Sequence, residues 1–263
     1  MTPELAAALQ SLAGLGQDGL LAGFFVFLRV GAAMAVLPVF GDHAVPQRVK
    51  VGLAIAFTLV VAPLAEAHLA GLVAAGAMLS PAIATEVLAG LLLGIVLRLF
   101  VMVLQMAGTI AAQSTSLAQF FGGAGIEPQP AISHLFLMGG LALAAMSGLH
   151  LRVTEAFLLS YDMLPPGSFP RPGMIAEWGI AQVARAFALA FTLAAPFVIA
   201  ALIYNLALGA INKAMPQLMV AFIGAPALTF CGLALLMIVT PIILSIWLGA
   251  FQRFVLDPFG MPQ

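Results

Sequence analysis

GLLAGFFVFLRVGAAMAVLPVFG, the stretch from Gly19 to Gly41, carries a single charge, Arg29, and is otherwise apolar or small. As a helix rising about 1.5 Å per residue it extends about 30 Å or slightly more, which matches the hydrocarbon core of a bilayer. This segment predicts a membrane protein. An arginine deep in such a helix costs about 2.5 to 3.5 kcal/mol on insertion scales, and more on an isolated helix. The cost falls if Arg29 faces protein or water; the alternative is a side chain that snorkels its charged head to the interface. Arg98 repeats the problem inside the apolar run Val87 to Met106, so buried guanidinium groups are expected at both places.

Composition extends this reading to the whole chain. Of 263 residues, 63% are hydrophobic and 7% charged, and the mean hydropathy is +1.15. Ordinary soluble domains have about a quarter of their residues charged. The length therefore reads as about six long apolar helices with short connections, an all-α polytopic membrane protein. A formal net charge of -1 points to no nucleic-acid partner. The single cysteine, Cys231, has no partner for an internal disulfide and reads as a small buried hydrophobe. No lysine or arginine precedes Arg29, so the basic start of a cleaved signal peptide is missing and the first apolar run is expected to stay in the mature protein.

Along the chain, residues 4–14 predict a short helix leading into the stretch 19–41. The segment Asp42 to Lys50 is too polar for the bilayer core and reads as a turn or short surface helix around Pro46. Val51 to Ala67 follows, with a break expected at Pro63, and a third, longer helix covers about Ala82 to Ala112 with Glu86 and Arg98. Those two are too far apart along the helix to be assumed to pair. Gln113 to Ser133 is loop chemistry, rich in Ser, Gly and Pro, and Leu135 to Leu149 resumes the apolar pattern.

Arg152 to Leu164 reads as an amphipathic helix, with Arg152, Glu155 and Asp162 on one face and Val153, Phe157, Tyr161 and Leu164 on another. Pro165-Pro166-Gly167 ends it, and Pro170-Arg171-Pro172-Gly173 is expected to be extended. Two long stretches, about Ile175 to Ala214 and Leu218 to Leu256, contain Pro196, Pro226 and Pro241, where kinks or breaks are expected. Arg48, Lys50 and Lys213 are the natural cytoplasmic residues. The spacings Gly19/Gly23 and Gly90/Gly94 suit close helix contact.

Catalytic constellations are scarce. His43, His68, His134 and His150 are scattered, none at metal-ligand spacing, and no phosphate loop, zinc-protease or serine-hydrolase motif occurs. No catalytic, cofactor or metal site is expected. Charged groups in membrane segments also mark solute or proton paths, which keeps a secondary transporter as the reading from another class.

Three blocks carry a resemblance. The first is Arg29-Val30-Gly31-Ala32-Ala33, then Leu37-Pro38-Val39-Phe40-Gly41 and Val45-Pro46-Gln47-Arg48-Val49-Lys50-Val51-Gly52. The second is Gly148-Leu149-His150, Glu155-Ala156-Phe157 and Ser160-Tyr161-Asp162-Met163-Leu164-Pro165-Pro166-Gly167. The third is Ala195-Pro196-Phe197, Asn205 through Leu218, and Phe222-Ile223-Gly224-Ala225-Pro226. In order and spacing the chain resembles the FliR/SpaR/YscT family of type III secretion export-gate proteins, with Lys213 where the family often has Arg.

The resemblance implies a structural and gating subunit, not an enzyme, of the flagellar export gate in the bacterial inner membrane and basal body. A virulence-type secretion system is the nearest alternative. It implies FliP-like and FliQ-like partners that wind with this chain around a channel for unfolded exported proteins, and contacts with FlhB-like and FlhA-like proteins. It implies a FliP-like part over about 1–173 and a FliQ-like part over about 174–263, all built from long kinked helices. The segment about Met106 to Pro128 resembles the family's channel plug, with Phe120, Phe121, Gly122, Gly123 and Gly125 as the expected gate residues. Phenylalanines dipping into lipid from an ordinary loop are the alternative. Arg29, Arg98 and Lys213 are the expected buried charges of the assembly.

Overall fold

Apolar sequence without water to satisfy its backbone must close its hydrogen bonds internally, and this chain does so with helices. The computed structural model describes residues 3–37, 46–74, 79–114, 130–215 and 220–259, and no strand occurs among them. The helices are α1 (Pro3–Val36), α2 (Gln47–Ala74), α3 (Leu79–Ser114), α4 (Ala131–Met146), α5 (Leu149–Met163), α6 (Pro172–Ala214) and α7 (Val220–Leu256). Five are long and apolar enough to cross a membrane, or up to six if α4 and α5 count as one interrupted span. The chain is an all-α polytopic membrane protein, as its composition predicts.

Several boundaries differ from the expected ones, most of the starts in favour of longer helices. Residues 4–14 do not form a separate helix but the first turns of α1. α1 stops at Val36 because the residue before a proline, here Leu37 before Pro38, is driven out of helical geometry. α2 begins at Gln47, with the Pro46 carbonyl accepting from the Val49 and Lys50 amides at 2.9 and 3.3 Å. It then runs unbroken through Pro63. Ala54, Thr58, Val61, Ala65 and Leu69 are buried at helical spacing on both sides of that proline, so one packed face holds the helix together where a hydrogen bond is missing.

α3 continues to Ser114, so the first part of the segment compared with a plug, Met106 to Ser114, is helical. α6 starts at Pro172, where the missing amide is no loss, and the extended stretch ends two residues earlier than expected. α6 passes through Pro196, and α7 through Pro226 and Pro241, without a break. Gly148, at φ +81°, separates α4 from α5. Cys231 is exposed on this chain, against the expectation of burial.

The contacts divide the chain into two units. One comprises Met1–Arg98, His150–Ala181 and Phe254–Gln263, and the other Leu99–Leu149 and Gln182–Arg253. The second is an aromatic and glycine-packed core. Trp247 donates its Nε1–H to the Phe100 carbonyl at 2.8 Å and stacks on Phe251, with centroids 5.4 Å apart. Phe136 packs on Phe197 at 6.3 Å. Gly108 lies against the Ser133 backbone, and a Cβ on Gly140 would overlap Leu104. Ser133 Oγ donates to the Gln105 carbonyl at 3.0 Å, so even its polar contact joins α3 to α4 by backbone.

Candidate functional site

The first unit holds a buried charge cluster. On α1, Ala22, Phe25, Val26, Val30, Ala33 and Met34 recur at three- and four-residue spacing as one buried face, and Arg29 falls on it. Its side chain is 1% exposed. α3 reaches this face through two glycines: a Cβ on Gly90 would overlap the Arg29 carbonyl oxygen, and one on Gly94 would stand 2.7 Å from the Ala33 carbonyl oxygen. The matching order of these contacts makes α1 and α3 parallel here. One turn before Gly90, the close approach delivers Glu86 to the Arg29 side chain.

Arg29 and Glu86 form a bidentate pair. Nε donates to Oε2 at 2.7 Å and Nη2 to Oε1 at 2.9 Å. Glu86 is 0% exposed. The remaining donors meet α5 and its end: Nη1 donates to Ser160 Oγ, and Nη2 to the Leu164 carbonyl, each at 2.9 Å. Ser160 Oγ in turn donates to the Phe157 carbonyl at 2.6 Å. The Tyr161 ring covers the guanidinium, with Cζ 3.7 Å from the ring centroid. Its hydroxyl lies near the Glu86 carboxylate but makes no hydrogen bond of good geometry.

The end of α5 explains why a cation settles there. The last carbonyls of a helix lack partners and carry partial negative charge, so a guanidinium satisfies both needs. Pro165 and Pro166 stop the helix, and Gly167, at φ +74°, turns the chain back over α3. The Gly167 amide donates to Thr85 Oγ1 at 3.1 Å. Nearby, His68 Nε2 and Asp162 Oδ1 form an exposed pair at 3.0 Å. Arg152 and Glu155 form another at 2.9 Å, on the solvent face foreseen for this amphipathic helix.

The arrangement holds three helices in one register. Removing one partner of such a pair leaves an uncompensated buried charge, an effect of about 3 to 5 kcal/mol, whereas replacing both with apolar groups is often neutral. Among the described residues no group of three or more His, Cys, Asp or Glu side chains could hold a metal ion.

Of the expected site residues, Arg29 lies in this cluster. Arg98 and Lys213 are exposed on this chain, Arg98 on α3 in the same unit and Lys213 in the last turn of α6 in the other. Phe120, Phe121, Gly122, Gly123 and Gly125 lie outside the described residues. Sequence reasoning missed Glu86, Ser160, Tyr161 and the Leu164 carbonyl as partners of Arg29. The available signal was two opposite charges, Arg29 deep in one apolar run and Glu86 near the start of another, neither of which is cheap to bury alone.

The sequence matches the family described as bacterial export proteins, family 1, over residues 20–254. Among curated proteins, a flagellar biosynthetic protein FliR of Caulobacter vibrioides is 33% identical over 236 residues, covering 89% of this chain and 94% of its own. The FliR of Escherichia coli is 28% identical over 226 residues, 84% of either chain. That of Aquifex aeolicus is 26% identical over 230 residues, covering 87% of this chain and 88% of its own. A match from Leu20 to Phe254 takes in the charge cluster and all but two residues at either extreme of the candidate spans, and the chain belongs to the bacterial export protein family 1.

Proposed function

We propose that this chain is a structural and gating subunit of the flagellar protein export gate, and that it performs no catalysis. The family match over residues 20–254 carries the reading, and the flagellar names of the relatives favour a flagellar system over a virulence-type one. The subunit forms a channel with FliP-like and FliQ-like chains in the inner membrane at the flagellar base, contacts FlhB-like and FlhA-like proteins, and passes unfolded proteins. Its exterior suits such a role: only 28% of the span Gln47–Val73 and 22% of Leu228–Leu256 is buried within the chain. Small-residue positions such as Gly19 and Gly23 meet nothing within 4 Å and leave room for another helix.

Residues 1–173 form the FliP-like part and 174–263 the FliQ-like part in this reading. The division falls next to Pro172, where α6 begins, and leaves the two long helices α6 and α7 as the second part. The plug lies at Phe120 to Gly125, where the glycines permit reversible movement and the two rings fill the lumen.

Deletion of the gene in its own organism tests the reading. Expected are loss of motility and filaments, and copurification of the restored chain with FliP-like and FliQ-like subunits. Normal swimming without the chain, or a purified monomer that binds a small solute, overturns it in favour of a transporter. For the plug, Phe120→Ala with Phe121→Ala should raise ion leakage at normal complex yield; unchanged permeability would place the seal elsewhere.

A further inference from the structure

Arg98 sits near the midpoint of the apolar span Pro81–Ser114. It is exposed, and among the described residues no ion pair or hydrogen bond engages it. It continues the line of Gly90 and Gly94 by one turn. Those glycines pack against Arg29 and Ala33 of α1, so Arg98 falls where α1 ends at Val36. On its face of α3, Ile95 is 45% and Met102 39% exposed. The result is a strip of apolar side chains with one cation in its middle. Lipid is a poor neighbour for that cation, since a guanidinium at membrane depth is costly and such residues pair with protein groups or face water. Arg29 demonstrates the solution this chain uses elsewhere: a bidentate carboxylate on a helix allowed to approach closely.

We propose that the Ile95–Arg98–Met102 strip of α3 is a docking surface for an apolar helix of another membrane subunit bearing one carboxylate, which clasps Arg98 as Glu86 clasps Arg29. The inference rests on the export-gate reading, because it requires an assembly, and it adds the chemistry of one contact. Charge complementarity selects the partner. An uncharged apolar helix would bury the guanidinium without an acceptor, and a basic one would repel it. A carboxylate on the incoming helix is itself unaffordable in lipid, so the two charges specify each other and fix the register between subunits.

The test uses the full chain in its own cells. A photoreactive residue is placed at Ile95 or Met102, and crosslinked peptides are identified by mass spectrometry. The expected product joins α3 to an apolar helix of a different subunit that contains Asp or Glu. Arg98→Leu and Arg98→Glu should lower that product at least about ten-fold. Arg98→Lys should keep part of it, and reversing the identified carboxylate to arginine should restore Arg98→Glu. Crosslinks to lipid, or to a helix without a carboxylate, overturn the proposal, and this readout needs no Arg98 variant to fold. So does Asp42→Asn reproducing the loss seen in Arg98→Leu, which would place the partner within this chain. If deletion of the gene abolishes motility while Arg98→Leu assembles and swims as wild type, this inference fails and the export reading stands. Motility that survives deletion removes the export reading itself.

Discussion

The two units of the chain solve one problem by different chemistry. In the first, α1, α3 and α5 meet around a buried ion pair with a bidentate Arg29–Glu86 contact, and an α5 carbonyl completes it. In the second, α3, α4, α6 and α7 meet through aromatic stacking, glycine contacts and one indole donor, with Trp247 as its centre. Apolar helices in an apolar medium gain little from hydrophobic burial and must be matched by shape or by polar contact. The charged unit is intolerant of a single deletion and specific in register. The aromatic unit spreads its energy over many contacts and degrades gradually.

The largest effect should come from unbalancing the ion pair. Arg29→Ala or Glu86→Ala alone should destabilise the purified complex by about 3 to 5 kcal/mol, read as a loss of thermal midpoint and yield. The double change Arg29→Met with Glu86→Met should be milder than either single one. If the singles are each mild, or the double is as severe as their sum, the cluster is not the pin described here. Next in size is the glycine contact beneath it. Gly90→Ala places a methyl on the Arg29 carbonyl and should cost about 1 to 3 kcal/mol, whereas Gly23→Ala, which meets open space, should leave the isolated chain within about 0.5 kcal/mol. Protease resistance of the detergent-solubilised chain compares the two; equal responses would refute the contact.

In the aromatic unit, Trp247→Phe keeps most of the stacking on Phe251 but removes the indole donor to the Phe100 carbonyl, for about 0.5 to 1.5 kcal/mol by thermal melting. A larger loss than Glu86→Ala would reverse the contrast between the units. The smallest effect belongs to the exposed pair at the edge of the charged unit. Asp162→Asn should change stability by no more than about 1 kcal/mol, because water competes for both His68 and Asp162. A loss comparable to that of Arg29→Ala would mean that the cluster extends to the surface.

Much of the helical architecture was legible from apolar runs, and the exceptions are instructive. Pro63, Pro196 and Pro241 carry a strong local signal against helix, yet the helices continue, because apolar surroundings leave the backbone no better partner than itself. Gly19/Gly23 and Gly90/Gly94 are one pattern in sequence and two situations in space: one open, the other a backbone contact. Local spacing cannot tell which glycine pair meets a helix of the same chain. The same limit applies to Arg29 and Arg98, alike as isolated charges in apolar runs but opposite in exposure. Their difference lies in a carboxylate 57 positions from Arg29 along the chain, whose pairing depends on how three helices assemble.

α6 has a further consequence, for the timing of biogenesis. Exposed apolar side chains recur along it from Met174, 60% exposed, to Ile211, 46% exposed. At about 1.5 Å per residue that interval is about 56 Å of helix, against a hydrocarbon core about 30 Å thick. A straight rod of this length would need a tilt of about 58° to hide in lipid, outside the range of about 0 to 40° that membrane helices adopt. In the proposed gate, part of its surface is therefore clothed by other protein. Until that protein arrives, the surplus is a sticky, aggregation-prone face, so a cell that makes this chain has to make and deliver its neighbours in step with it.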